Sequence, residues 1–408
     1  MENKRSPLGL IFLTVLIDMI GFGIVIPVLP IYAESSTFAA TPAQLGWLLA
    51  IYSLLQLTFA PLFGKLSDRI GRKPVLTFSI LGTAIGFFVT GSAQSFWILF
   101  LGRVIDGISG GNISTAQACI ADVTTPEQRS RNMALIGVAF GLGFILGPVI
   151  GGVLSHHISP AAPFYFAGVL ALINCALVAL RLPETLTPER RVKAHERAGV
   201  MEVFSGGRAP FIWALLASYL TSITGFSVMT ALFALFCKYR FGFSNDAIGY
   251  TLAYIGFLGM IIQGGLLRRL LRRPIEKQLA VTGAAILAIS MALLPLTASI
   301  GALLLVCAGI SVGNAFVTPT LNGLASKFTD ARSQGRVLGL MQSAGSLGRV
   351  LGPLLAYRLL VLDQNGPVLH YARTALWAGS AILLVSLCFT FFISPTPVQE
   401  PIAEPVQA

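Results

Sequence analysis

Charge is what this sequence has least of. Only 11% of its 408 residues are Asp, Glu, Lys or Arg, against about 25% in an ordinary soluble domain. The chain is 55% hydrophobic and its mean hydropathy is +0.78. No water-soluble fold of this length could hide so much apolar surface, so lipid is the solvent for most of it. Cysteine is sparse too. Cys119, Cys175, Cys237, Cys307 and Cys388 are odd in number, lie in or beside apolar runs and form no CxxC pair, which excludes a disulfide framework and a zinc site. A GxxxxGK(S/T) phosphate loop is missing, which excludes a nucleotide-driven pump. No cofactor and no metal are expected.

What is present is a succession of apolar runs, each near the roughly 20 residues needed to cross a bilayer. Backbone groups in lipid must pair within their own segment, so the runs read as helices despite internal Pro and Gly. Twelve segments are predicted, at 8–32, 43–64, 74–92, 96–118, 132–154, 163–182, 209–236, 246–267, 276–297, 299–322, 335–360 and 369–393. The first follows the basic residues of 1–5, but it is too long for a signal-peptide core and carries an acid, so it is kept as a mature helix.

The net charge of +11 would suggest nucleic acid, but the cations sit in short clusters between apolar runs. That is how loops orient a membrane protein, so the bilayer is the expected partner and nucleic acid is not. With both termini in the cytoplasm, 22 of the 28 Lys and Arg fall on the inner side, four on the outer side, and Arg103 and Arg349 within the membrane.

The polar stretch 183–208 divides the segments six and six. The expected organisation is an N-terminal bundle over 1–182, a cytoplasmic linker over 183–208, a C-terminal bundle over 209–393 and a disordered tail over 394–408. The halves echo one another: GFILGP at 143–148 answers GRVLGP at 348–353, and Gly64 answers Gly264. Six-helix repeats about an axis along the membrane normal place a site between the halves.

Several residues break the apolar pattern. Asp18 lies inside segment 1, and an intramembrane acid is costly enough to be a functional candidate by default. Desolvation raises a carboxyl's proton affinity and a nearby cation lowers it, so a balanced acid can take up and release a proton. Segment 4 carries Arg103, Asp106, Gly107, Gly110, Ser114 and Gln117 at helical spacing, a stripe expected to face a cavity. Segment 5 is rich in glycine, with Gly143, Gly147, Pro148, Gly151 and Gly152, which lets backbones approach closely. In the C-terminal half Ser218, Thr221, Ser222, Gly225, Asn314, Gln342, Ser346 and Arg349 are candidate cavity residues; in both halves, Phe22, Phe140, Phe226, Phe233, Tyr254 and Phe316 are candidate apolar lining. A GISGG stretch at 107–111 formally matches GxSxG, but the four histidines lie in loops or at a helix start, so no base is placed for Ser109.

The stretch GKLSDRIGRKP at 64–74 resembles the loop signature of the major facilitator superfamily. Gly64 and Gly71 would permit a tight reversal, and Asp68 could cap a neighbouring helix. The resemblance implies a conformational latch formed by Asp68, Arg69 and Arg72. GLGFILGPVIGG at 141–152 resembles the motif of antiporter branches, and GRVIDGISGGN at 102–112 resembles a segment whose arginine is tied to proton coupling, a role carried onto Arg103. With IADVTTPEQR at 120–129 and LPET at 182–185, the chain resembles the tetracycline-exporter branch of the drug/proton antiporters. Segment 9 lacks the acid general in that branch, since Glu276 stands only at its mouth. The implied fold is all-α, with 12 transmembrane helices in two pseudo-symmetric six-helix bundles. The implied activity is proton-coupled export of small, largely apolar or amphipathic compounds by a monomer in a bacterial inner membrane. A lipid, sugar or other metabolite is the alternative cargo. Either Asp18 or Asp106 can be the main proton site.

Overall fold

The computed structural model describes residues 7–186, 204, 209–273, 275–327, 334–363, 367 and 370–393. Most of the expected linker 183–208 and all of the tail 394–408 lie outside the described residues. Every regular element among those described is helical. The N-terminal half holds α1 (Leu8–Ala33), α2 (Pro42–Ile70), α3 (Arg72–Gly91), α4 (Phe96–Ser109), α5 (Asn112–Asp122), α6 (Pro126–His157) and α7 (Ala162–Arg181). The C-terminal half holds α8 (Ala209–Phe241), α9 (Asn245–Ile261), α10 (Glu276–Leu293), α11 (Ile300–Lys327), α12 (Gln334–Asp363) and α13 (Arg373–Phe392). A π-helical turn at Ile262–Leu267, around Gly264 and Gly265, carries α9 on to Leu270. Eleven of these helices are long and apolar enough to span a membrane singly; α4 and α5 together make the twelfth crossing.

The single helix expected over 96–118 is therefore two. The chain turns at Gly110 and Gly111, and the carbonyls freed there find donors. Ser79 donates to the Ser109 carbonyl, Gln56 Nε2 to that of Gly110 at 2.9 Å, and Ser114 Oγ to that of Gly111 at 2.8 Å. A break at membrane depth survives only with such replacements. Gly107 and Gly110 also make room: Cβ atoms there would stand 2.9 Å from Tyr52 Cα and 3.0 Å from its hydroxyl, respectively.

The expected loop 64–74 is also mostly helix. α2 runs through Gly64 to Ile70, and α3 begins at Arg72. The reversal falls on Gly71 alone, whose φ of 112° suits glycine. Gly64 takes no part in it. At the start of α2 a Thr41–Gln44 capping box with Pro42 at the first helical position fixes the entry.

Packing repeats between the halves. In the first, α6 lies on α1 through glycines: Cβ atoms at Gly147 and Gly23 would stand 2.6 Å from Gly23 Cα and from the Gly143 carbonyl. In the second, α12 lies on α8 in the same way, with Gly348 3.0 Å from the Leu220 carbonyl and Gly352 2.9 Å from that of Thr224. The halves then exchange partners, α2 packing on α12 and α6 on α9.

One end of the molecule carries the start of α1 and the end of α13; we term it the terminal face and the opposite end the far face. The halves share one apolar core toward the far face, where Ile24, Val28, Leu29 and Leu48 join Val228, Leu232, Phe236 and Tyr357. Toward the terminal face each half keeps its own. Ile11, Val15, Leu76, Ile80 and Ile120 form one, and Leu215, Leu321, Leu324, Val337 and Met341 the other. The far face is further tied across the halves by Glu34, which accepts from Lys238 Nζ at 3.1 Å and Tyr239 Oη at 2.7 Å, and by Asn245 Nδ2 donating to Ser155 Oγ at 2.7 Å. The halves are thus joined by apolar packing and polar ties at the far face, whereas toward the terminal face each closes on a core of its own.

Candidate functional site

Breaking the fourth crossing has a direct consequence for the site. Asn112, the first residue of α5, directs Nδ2 to Asp18 Oδ2 at 2.5 Å. The other carboxylate oxygen, Oδ1, is buried and has no partner, and among the described residues no cation stands within 4.0 Å of Asp18. Three residues apart on α4, Arg103 and Asp106 pair instead with each other, Nη1 to Oδ2 at 2.5 Å. The Arg103 guanidinium also lies 4.6 Å above the Tyr52 ring, and the Thr83 hydroxyl serves Asp106. Arg103 therefore neutralises Asp106 and leaves Asp18 to a neutral amide.

Asp18 and Asp106 line one cavity with Met19, Phe22, Tyr52, Thr83, Phe87, Gly110, Asn112 and Ile113. Phe22 contributes an aromatic wall, its ring 5.7 Å from that of Tyr52 and 5.8 Å from that of Phe144. Arg349 approaches from the other half. It lies midway along α12, its Nη2 donates to Ser346 Oγ at 2.9 Å, and it interacts electrostatically with Tyr52.

The remaining candidates stand elsewhere. Gln117 and Gln342 are exposed, and Asn314 is half-buried with Oδ1 accepting from Thr318 at 3.4 Å. Phe233 and Phe316 belong to apolar cores. The stripe expected along segment 4 is divided by the break, so Gln117 does not share a cavity with Asp106. Asn112, Tyr52 and Thr83 are the site residues that sequence reasoning missed. The one signal for Asn112 was an amide directly after two glycines in an apolar run.

At the terminal face the 64–74 stretch builds a charged knot. Arg72 binds Asp68 at 2.7 Å, Asp122 at 3.0 Å and Ser67 Oγ at 2.7 Å. The helix cap expected of Asp68 is supplied to α3 by another acid, Glu184 of the LPET stretch, whose carboxylate accepts from the backbone N–H groups of Arg72 at 2.9 Å and Lys73 at 3.2 Å. Arg69 is exposed. The glycines of α6 split their work: Gly143, Gly147 and Gly151 meet α1, whereas Gly152 meets Asn245 and the Pro148 carbonyl meets Gly249, both on α9.

Among the described residues one group has metal-ligand chemistry, His156, His157 and Asp246, with ligand atoms within 4.8 Å of one another. It is at the far face, outside the cavity. The positions of these residues, at the C-terminus of α6 and the N-terminus of α9, suit the helix dipoles without an ion.

Two half-bundles around a polar cleft narrow the field to one architecture, and residues 11–353 match the family profile of the Major Facilitator Superfamily. The chain belongs to that superfamily. It is 34% identical over 394 residues to the tetracycline resistance protein, class C, of Escherichia coli, covering 94% of this chain and 96% of that protein. It is 31% identical to multidrug resistance protein 1 of Bacillus subtilis (strain 168), covering 94% and 97%. Among solved structures, the human organic anion transporter MFSD10 (TETRAN) superposes with a TM-score of 0.73 at 27% identity, covering 96% of this chain and all of that one. The protein is a multi-pass membrane transporter of small molecules.

Proposed function

We propose that this transporter exports small amphipathic compounds in exchange for protons, by rocking its two halves around the central cleft. The observation that carries the reading is Asp18, a membrane-embedded acid with one oxygen unpartnered and no cation beside it, at a cavity lined by residues of the N-terminal half. Such an acid exchanges its proton with whichever compartment the cleft faces. Asp106, already neutralised by Arg103, is the weaker candidate, and Arg103 and Asp106 serve as a fixed dipole beside the proton site. Resemblance to the tetracycline and multidrug resistance proteins supports drug-like cargo.

The distribution of cations supports a cytoplasmic terminal face, an orientation in which the cleft faces inward. Closing it brings the 64–74 stretch toward the opposite half, where Asp68, Arg69 and Arg72 act as the latch. The site is complete within one chain, in keeping with a monomer, and a bacterial inner membrane supplies the proton gradient. Asp18→Asn is expected to abolish proton-coupled export in inverted vesicles while the protein keeps its melting temperature. Proton-coupled export at the wild-type rate in that variant would refute the role.

A further inference from the structure

Four charged side chains lie at membrane depth around the cleft, and they do not cancel in two pairs. Arg103 and Asp106 neutralise each other at 2.5 Å, with 4% and 6% of their side chains exposed. Two charges remain. Asp18, on α1, has only the Asn112 amide for a partner. Arg349, on α12, has only the neutral Ser346 hydroxyl, and among the described residues no carboxylate stands within 4.0 Å of it. The other ionisable groups near Asp18 are Asp106 and Tyr52, and those near Arg349 are Tyr52 and Tyr219. A charge without a countercharge is costly at membrane depth, and here one of each sign is kept, half-buried, on opposite halves, with Tyr52 as common neighbour.

Packing does not explain Arg349. The GRVLGP stretch at 348–353 does for α12 on α8 what GFILGP at 143–148 does for α6 on α1, and the residue standing where Arg349 stands is Phe144. A phenylalanine thus suffices for the equivalent contact, and the arginine is an addition to it.

We propose that the substrate is zwitterionic, an amphipathic molecule whose cationic group is held by Asp18 and whose anionic group is held by Arg349, its apolar body lying against Phe22, Tyr52 and Phe87. This rests on the reading of the central cleft as the transport site. A substrate that is only an anion would leave Asp18 repelled, and one that is only a cation would leave Arg349 uncompensated. A zwitterion satisfies both. Its cationic group also competes with the proton for Asp18, which is the sign that antiport requires.

The test uses the purified full-length protein in lipid nanodiscs and calorimetric titration with naphthyl amino acids. In these the ammonium and carboxylate are separated by a graded number of carbons, so that the series samples the separation of the Asp18 carboxylate and the Arg349 guanidinium. Each is compared with its methyl ester, its N-acetyl acid and its doubly blocked form. The best-spaced zwitterion should bind the wild type at least about tenfold more tightly than any blocked form, the scale of one charge-assisted hydrogen bond. Esterification should then cost nothing in Arg349→Gln, and acetylation nothing in Asp18→Asn, with Arg349→Lys restoring part of the ester penalty. Blocked forms that bind the wild type as tightly as every zwitterion overturn the proposal, whether or not the variants fold. Proton flux in inverted vesicles separates the two readings. Zwitterion preference without proton flux sinks antiport alone, and proton-coupled export of blocked forms without any preference sinks the zwitterion alone.

Discussion

The two halves share a fold and a glycine-based seam, yet they fill the equivalent positions with different chemistry. In the N-terminal half Gly147 meets Gly23, and five residues before Gly23 stands Asp18. In the C-terminal half Gly352 meets Ser227, and five residues before Ser227 stands Ser222. Asp18 borders the cavity, whereas Ser222 pairs with Ser386 at 2.6 Å within its own bundle. Ser218 adds a bond to Thr390 at 2.5 Å, and Ser380 one to the Ala288 carbonyl at 2.8 Å. Hydroxyls cost little to bury when paired and do not titrate at ordinary pH. The comparison teaches a division of labour at membrane depth: the first half carries the acids Asp18 and Asp106, and the second, Arg349 apart, is stitched there by neutral hydroxyl bonds.

The sharpest way to break this contrast is Arg103→Ala. It strands Asp106 at 6% exposure without its cation, and the expected loss is about 3–5 kcal/mol, read as a fall in melting temperature. Replacing both partners by apolar residues of similar size should recover most of it. Next in size is Gly147→Ala, whose Cβ would lie 2.6 Å from Gly23 Cα; overpacking there should cost about 1–3 kcal/mol. Gly64→Ala, with nothing within 4 Å of its Cβ, should stay within about 0.5 kcal/mol of wild type. Ser222→Ala is comparably small, expected to cost about 0.6 kcal/mol and to leave proton-coupled transport unchanged. Loss of coupling in that variant would erase the distinction between the halves.

Much of the fold was legible because lipid makes length and hydropathy decisive. The start of α1 at Leu8 and the division into halves follow from apolar runs and one polar gap. Helix ends were less legible at the terminal face. There α2 runs to Ile70 and α11 to Lys327, because charged residues can extend a helix beyond the hydrocarbon. The break at Gly110 and Gly111 was hidden, since glycine pairs in membrane helices usually signal close packing and the rescuing donors Ser79 and Gln56 lie far away in sequence. Asp18, Arg103 and Asp106 stood out as charges in lipid, but their partnering did not. Whether Arg103 serves Asp18 or Asp106 is a matter of rotamer and helix rotation. Glu184 as the cap of α3 acts across 112 positions, beyond any local pattern.

The reversal at Gly71 spends a single residue between two long helices. A joint this short keeps the end of α2 and the start of α3 together, so the two helix ends must move as a pair. Movement of α2 against its neighbour α12 therefore pulls on the start of α3, whose later turns carry Thr83 and Phe87 at the cavity wall. Lengthening this joint with flexible residues would let the gate shift without the wall following.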